Sequence, residues 1–223
     1  SFYYHPVWSP DSKKIAYTDK QRKLYVVDIT DKKPVEIDKD WYTPGVPQIN
    51  CAWSSDSKWI TYNNRVDNHY GAIFLYDVVN NKKHQLTDAM SEANYPVFSK
   101  DGKYIFFAAS TNFGPGEAWL DLSSNEHEVR SSIYAIVLSK KNPSILVPKS
   151  DEETEAAAEE KPATTDADKK SKKDKNAKAT TEDTTKKDDL VIDLDHIQQR
   201  IEALPVPAKN IYLLNGNVDG QLY

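Results

Sequence analysis

The chain has 223 residues, which is enough for one large all-β domain, and it is rich in aromatic residues, with 13 Tyr and 5 Trp against only 7 Gly. Its formal net charge of −5 argues against a nucleic-acid-binding protein, which needs a basic face. No apolar run approaches the roughly 20 residues that span a bilayer. The single cysteine, Cys51, excludes an intrachain disulfide, and we interpret it as a small buried apolar residue.

A short phrase recurs three times, over residues 6–17, 51–62 and 96–107. Trp53 follows Trp8 by 45 residues, and Phe98 follows Trp53 by the same interval. The aspartates of the phrase keep this spacing too, at Asp11, Asp56 and Asp101. A repeat of this length that is built from strand-like segments is typical of β-propeller blades. A single blade cannot bury both of its faces, so the phrases predict neighbouring blades stacked side by side.

Each phrase predicts a strand, a tight turn and a second strand. In the first copy Ser9, Pro10 and Asp11 form the turn, because proline presets φ and the flanking side chains bond the local backbone. The aspartates are therefore interpreted as architectural. The apolar runs that follow predict second strands over 15–18, 59–62 and 104–108, third strands over 24–27, 73–76 and 133–138, and outer strands over 35–37 and 84–86.

A charged insertion interrupts the third blade. Residues 149–189 contain no aromatic residue and no Leu, Ile, Val or Met, so they bury too little apolar surface to offset ordering entropy and we expect them to be disordered. Residues 1–148 then hold blades 1–3. Residues 190–223 complete the third blade, with 191–194 as its outer strand, and begin a fourth blade.

The insertion is expected to be dispensable for stability. Deleting residues 149–189 from the intact parent protein should change the melting temperature by less than about 5 °C. A thermal melt of the deletion variant checks this, and a larger drop would mean that the segment contributes to the fold.

The fourth blade has a weaker pattern. Its inner strand is expected over 201–207, its second strand over 210–214 and the start of its third strand over 221–223, with a turn at 216–220. An alternative for 196–204 is a short helix, because Ile197, Ile201 and Leu204 fall at i, i+4 and i+7.

Candidate binding residues lie on the face that holds the loops between second and third strands and the linkers between blades. These loops lengthen along the chain, and long loops of compact domains often carry function. The candidate partner-facing residues are Trp41, Tyr42, His69, Tyr70, Phe113 and Trp119. In the alternative interpretation, the aromatic side chains pack down over the blade edges. The sequence offers no catalytic motif, no metal-binding spacing among its five histidines and no cofactor motif.

The phrase from Trp8 to Tyr17, followed by 24–28, resembles the repeats of TolB and tricorn-type propellers. The later segments 119–124, 132–138, 192–195 and 200–207, with the charged insertion among them, resemble the amino-terminal propeller region of bacterial tricorn-like serine peptidases. In that family a propeller precedes a PDZ domain and a serine peptidase core. The resemblance implies a fragment of a longer parent, a propeller without catalytic residues that guides or filters peptides.

Three functions stay open at this point. The first is the tricorn-like propeller, with a peptide or unfolded-protein substrate as partner, PDZ and peptidase domains in the same parent chain, and homo-oligomerisation as a further possibility. The second is a TolB-like interaction propeller without enzymatic activity, and the third is the propeller of a dipeptidyl-peptidase-type hydrolase. The resemblance favours a periplasmic or secreted location, with the cytoplasm as the alternative.

Overall fold

A computed structural model of the protein describes residues 2–42, 49–112, 130–146, 190–215 and 222. These residues form three four-stranded antiparallel sheets, which confirms the predicted all-β partial propeller. The predicted disordered insertion, 149–189, lies outside the described residues. Within the described ranges, no helix has the length and apolar character needed to cross a membrane.

Each sheet is one blade, and its strands follow chain order in all three blades. Blade 1 contains β1 (Tyr3–Trp8), β2 (Lys14–Asp19), β3 (Lys23–Asp28) and β4 (Pro34–Lys39). Blade 2 contains β5 (Cys51–Trp53), β6 (Trp59–Arg65), β7 (Gly71–Asp77) and β8 (Lys82–Gln85). Blade 3 contains β9 (Glu92–Phe98), β10 (Tyr104–Ser110), β11 (Ser132–Val137) and β12 (Ile201–Ala203).

The repeated turn uses the same hydrogen bonds in all three blades. The serine Oγ donates to the aspartate Oδ1 at 2.6 Å in Ser9–Asp11, 2.5 Å in Ser54–Asp56 and 2.6 Å in Ser99–Asp101. Desolvation opposes ionisation of Asp11 and Asp101, but the serine hydroxyl and a backbone N–H outweigh it and lower the pKa of both carboxyls. The turns also link blades, because the Asp11 N–H donates to Ser57 Oγ at 3.1 Å.

An aromatic stack marks one face of every blade. Its two rings come from paired positions of the second and third strands, with centroids 5.5 Å apart in Tyr17–Tyr25, 5.5 Å in Tyr62–Phe74 and 5.6 Å in Phe107–Tyr134. The stack of blade 2 packs on the aliphatic face of blade 1, and the stack of blade 3 packs on that of blade 2. Burial of these faces is the main stabilising term between blades.

The outer strand of blade 3 differs from the prediction. Residues 191–194 form no strand, and the outer position belongs to β12, which pairs with β11 through Tyr134–Ala203 and Ile136–Ile201. The sequence alone favoured the earlier segment because it is the first apolar run after the insertion. Its alternate residues Leu190, Ile192 and Leu194 instead pack into the core between blades 2 and 3.

The same segment replaces an aspartate that blade 3 lacks. Asp28 and Asp77 end β3 and β7 and accept N–H bonds from the following turn, whereas Val137 stands at this register in β11. Asp193 supplies the missing carboxylate from across the insertion, because its Oδ2 accepts the Lys140 N–H at 2.8 Å and the Ser139 hydroxyl at 3.0 Å. These bonds lower the pKa of Asp193.

The predicted beginning of blade 4 is also wrong in part. Residues 201–203 belong to blade 3 and are not an inner strand of blade 4. The helix alternative gives only a short 3-10 turn over Ile197–Arg200, because the Arg200 guanidinium bonds the Val137 and Asp195 carbonyls and the next residue enters β12. Leu214 packs on the outer face of blade 3, no strand forms over 210–214, and the predicted turn at 216–220 lies outside the described residues.

Candidate functional site

A groove of about 650 Å³ lies between the outer parts of blades 1 and 2, on the face with the linker after β4 and the loop between β6 and β7. We call it the rim groove. Its aromatic lining is Trp41, Tyr42 and Phe74, and its charged lining is Asp38, Lys39, Arg65, Asp67, Lys83 and Asp88. The cavity is large enough for several residues of a peptide.

A fully bonded polar cluster forms the floor of the rim groove. The buried Tyr62 hydroxyl donates to Asp38 Oδ2 at 2.9 Å, and Lys83 Nζ lies 3.1 Å from both oxygens of the same carboxylate. Burial, and then the charge of Asp38, raise the pKa of Tyr62, so its phenol stays protonated and donates. The Asn64 amide also donates to the Lys39 carbonyl at 3.1 Å, which joins β6 to the end of blade 1.

The rim presents two aromatic rings. Trp41 is 65% exposed, and Lys39 Nζ lies 3.6 Å from the centroid of its ring. Tyr42 donates its hydroxyl to Asp67 Oδ1 at 2.6 Å and contacts the His69 ring edge-on, with centroids 4.7 Å apart. The bond to Asp67 is the largest cause of the raised pKa of Tyr42. These two contacts hold the Tyr42 ring in place at the groove.

The structure brings together three of the six residues that the sequence singled out. Trp41 and Tyr42 line the rim groove, and His69 adjoins it through its contact with the Tyr42 ring. Tyr70 lies in the adjoining tight turn, where its carbonyl accepts the Val66 N–H at 3.1 Å. Phe113 and Trp119 lie outside the described residues. The exposure of Trp41 disfavours the alternative in which its ring packs down over a blade edge.

An ion pair at the joint of blades 2 and 3 borders this region. Arg65 and Glu92 have side chains only 9% exposed, with 3.9 Å between Nη2 and Oε1. The Gly71 N–H donates to Glu92 Oε2 at 2.9 Å, and a Cβ at Gly71 would lie 2.7 Å from the Ala93 carbonyl oxygen. The pair and the close backbone approach therefore fix the β6–β7 loop against blade 3.

A second convergence, at the inner strands, was missed from the sequence. His5, Asn50 and Tyr95 line a cavity of about 170 Å³ together with Leu213 and Leu214. These first three residues are again 45 apart, and His5 and Tyr95 occupy bulges with φ of 49° and 58°. The 45-residue interval alone could have identified His5, Asn50 and Tyr95 as equivalent positions of the three blades. They were missed because a histidine, an asparagine and a tyrosine do not look like copies of one another.

The described residues contain no group of His, Cys, Asp and Glu side chains that could hold a metal ion. Cys51 lies beside the inner-strand cavity, and desolvation raises the pKa of its thiol to about 12. A thiol with such a pKa is not an activated nucleophile.

Comparison with solved structures gives a tricorn protease with a TM-score of 0.60 and 17% identity, covering 95% of this chain and 18% of that chain. TolB from Acinetobacter baumannii (TM-score 0.43, 18% identity, 63% of this chain and 31% of that chain) and a prolyl endopeptidase (TM-score 0.42, 16% identity, 63% and 21%) also match. A search of curated proteins gives no match. The chain thus spans about a fifth of the length of the tricorn protease chain that it matches.

The family model of the tricorn protease second β-propeller domain matches residues 1–221, nearly the whole chain. The three blades, the phrase repeated every 45 residues and the fold similarity to a tricorn protease agree with this match. The chain therefore belongs to the family of the second β-propeller domain of tricorn proteases.

Proposed function

We propose that this propeller binds extended peptides at the rim groove and guides them towards a serine peptidase core elsewhere in its parent protein. The observation that carries the proposal is the pair Trp41 and Tyr42, presented at the joint of two blades above a rigid polar floor. Exposed aromatic side chains on a fixed scaffold are typical anchors for peptide ligands. The family membership, which places the chain among tricorn protease propellers, supports the peptidase context of the proposal.

The partners in this proposal are an unfolded or extended peptide, and PDZ and peptidase domains of the same parent chain. The family membership favours this function over a TolB-like interaction propeller and over the propeller of a dipeptidyl-peptidase-type hydrolase. A TolB-like function would instead require a folded protein ligand and no peptidase in the parent.

The test is the hydrolysis of a long unstructured peptide and of a short chromogenic substrate by the parent protein carrying Trp41→Ala and Tyr42→Ala together. The double variant should raise KM for the long peptide by roughly tenfold, because two anchor side chains are lost. Turnover of the short substrate should stay unchanged, because it does not reach the propeller.

The control variant is Tyr212→Ala, which removes an exposed aromatic side chain that is not part of the rim groove. It should leave both substrates unaffected. Equal kinetics of the double variant and the parent protein on the long peptide would overturn the proposal.

A further inference from the structure

The charges of the rim groove are unevenly compensated. Two of its three cations form ion pairs, Lys83 with Asp38 and Arg65 with Glu92, and the third, Lys39, lies against the Trp41 ring. The two outer carboxylates of the groove belong to Asp67 and Asp88. Within the described ranges, no lysine or arginine forms an ion pair with either of them. The mouth of the groove therefore keeps a net negative charge, because Asp67 and Asp88 face only the one ammonium group of Lys39, whereas the ion pairs neutralise the floor.

The two outer carboxylates lie on loops that are tied together. The Asn68 amide donates to the Ala89 carbonyl at 2.9 Å, and these two residues directly follow Asp67 and Asp88 in the chain. The Tyr42 hydroxyl and the Met90 N–H hold one oxygen of Asp67 and of Asp88, respectively. Both carboxylates are thus positioned before a ligand arrives.

The chain's own lysine already shows what the aromatic wall accepts. Lys39 Nζ lies 3.6 Å from the Trp41 ring centroid, which is the geometry of a cation–π contact. This ammonium group occupies the ring face that a cationic side chain of a ligand would use. The aromatic wall and the acidic mouth are independent features, and both favour a positive charge.

We propose that the rim groove selects peptide segments that carry a lysine or arginine side chain, with Asp67 and Asp88 pairing with its charge and Trp41 and Tyr42 packing against its stem. This inference rests on the proposed function and specifies the ligand of the same groove. Lysine and arginine suit such a site because their long apolar stems pack on aromatic rings while the charged end reaches a carboxylate.

The test compares two fluorescent extended peptides that differ only at one central position, arginine in one and its neutral analogue citrulline in the other. Binding to the chain is measured by fluorescence anisotropy at 50 mM and 500 mM salt. We expect the arginine peptide to bind roughly tenfold more tightly at low salt, since an exposed ion pair and a cation–π contact each contribute modestly. The preference should shrink at high salt.

Two variants should move this preference in opposite directions. Asp67→Asn with Asp88→Asn should reduce it to less than about twofold while the citrulline peptide binds as before. Lys39→Met should increase affinity for the arginine peptide, because it frees the Trp41 ring and removes a competing charge. The matched control, Asp31→Asn with Asp195→Asn, removes two exposed carboxylates outside the groove and should leave the preference intact.

Each failure has its own meaning. Equal affinity for both peptides, with loss of both on Trp41→Ala, would overturn the charge selection and leave peptide guiding standing. Absence of binding by either peptide would overturn both proposals. If Asp31→Asn with Asp195→Asn abolished the preference as fully as Asp67→Asn with Asp88→Asn, the preference would be due to net charge. That result would also overturn the inference.

Discussion

Replacing Trp53 with alanine is expected to lower the free energy of unfolding by about 3–5 kcal/mol, the range for deleting a large buried aromatic side chain. Trp53 is 8% exposed and lies in the core shared by blades 1 and 2. Its indole Nε1 donates to the Val7 carbonyl at 3.0 Å. The substitution therefore opens a cavity between the blades and also leaves a carbonyl without its partner.

The repeat provides the matched control for this prediction. Trp8 occupies the same position of blade 1 but is 55% exposed, so Trp8→Ala should cost less than about 1 kcal/mol. Trp53→Phe keeps most of the buried area but removes the indole N–H. It should lower the free energy of unfolding by about 1 kcal/mol, which measures the hydrogen bond without the cavity. Urea denaturation followed by circular dichroism, at equal and low chain concentration, measures all three. Equal losses for Trp53→Ala and Trp8→Ala would contradict the packing of blade 2 on blade 1.

The blades could be predicted because their information is local and repeated. The Ser9, Ser54 and Ser99 turns carry their own hydrogen-bond partners within five residues, and the apolar runs after them are long and β-branched or aromatic. Neither feature depends on distant parts of the chain. The phrase therefore specifies the strands wherever it occurs.

The completion of blade 3 could not be predicted, because two short apolar segments compete for one edge. Residues 191–194 contain two β-branched residues and 201–203 only one, so local strand propensity favours the segment that does not form the strand. The choice depends on Asp193, which bonds Ser139 and Lys140, and on Arg200, which bonds the end of β11. These contacts join residues more than fifty positions apart, so no local sequence pattern predicts them.

The candidate site was predicted in its aromatic part only. Trp41 and Tyr42 stand out because aromatic residues are unusual in a short linker. Asp38 and Lys83 lie one residue outside the predicted outer strands 35–37 and 84–86, where a charge is read as solvent-exposed, and their pairing depends on the two blades stacking. The acidic mouth was missed for the same reason, since Asp67 and Asp88 come together only through the Asn68–Ala89 bond.

Reversible self-association of the chain is expected, because the aromatic face of blade 1 has no sheet over it among the described residues. The equivalent faces of blades 2 and 3 are buried beneath a neighbouring blade. On blade 1 the stack of Tyr17 and Tyr25 is only half-buried, and Tyr3 and Trp8 on the same face are 63% and 55% exposed. A contiguous apolar face of this kind stabilises contacts with another copy.

Sedimentation velocity over a hundredfold concentration range should show a sedimentation coefficient that rises with concentration. Tyr3→Lys with Trp8→Lys places two charges on this face and should return the chain to a monomer, with little loss of stability because both side chains are already mostly exposed. The control pair, Met90→Lys with Tyr212→Lys, makes the same charge change at two sites that are each 77% exposed and should not affect association. A monodisperse monomer at every concentration would mean that the blade 1 face is stable in water without a covering sheet. If both lysine pairs reduced association equally, the reduction would be due to net charge. Only the pair at Tyr3 and Trp8 lies on the blade 1 face, so contact through that face predicts an effect of this pair alone.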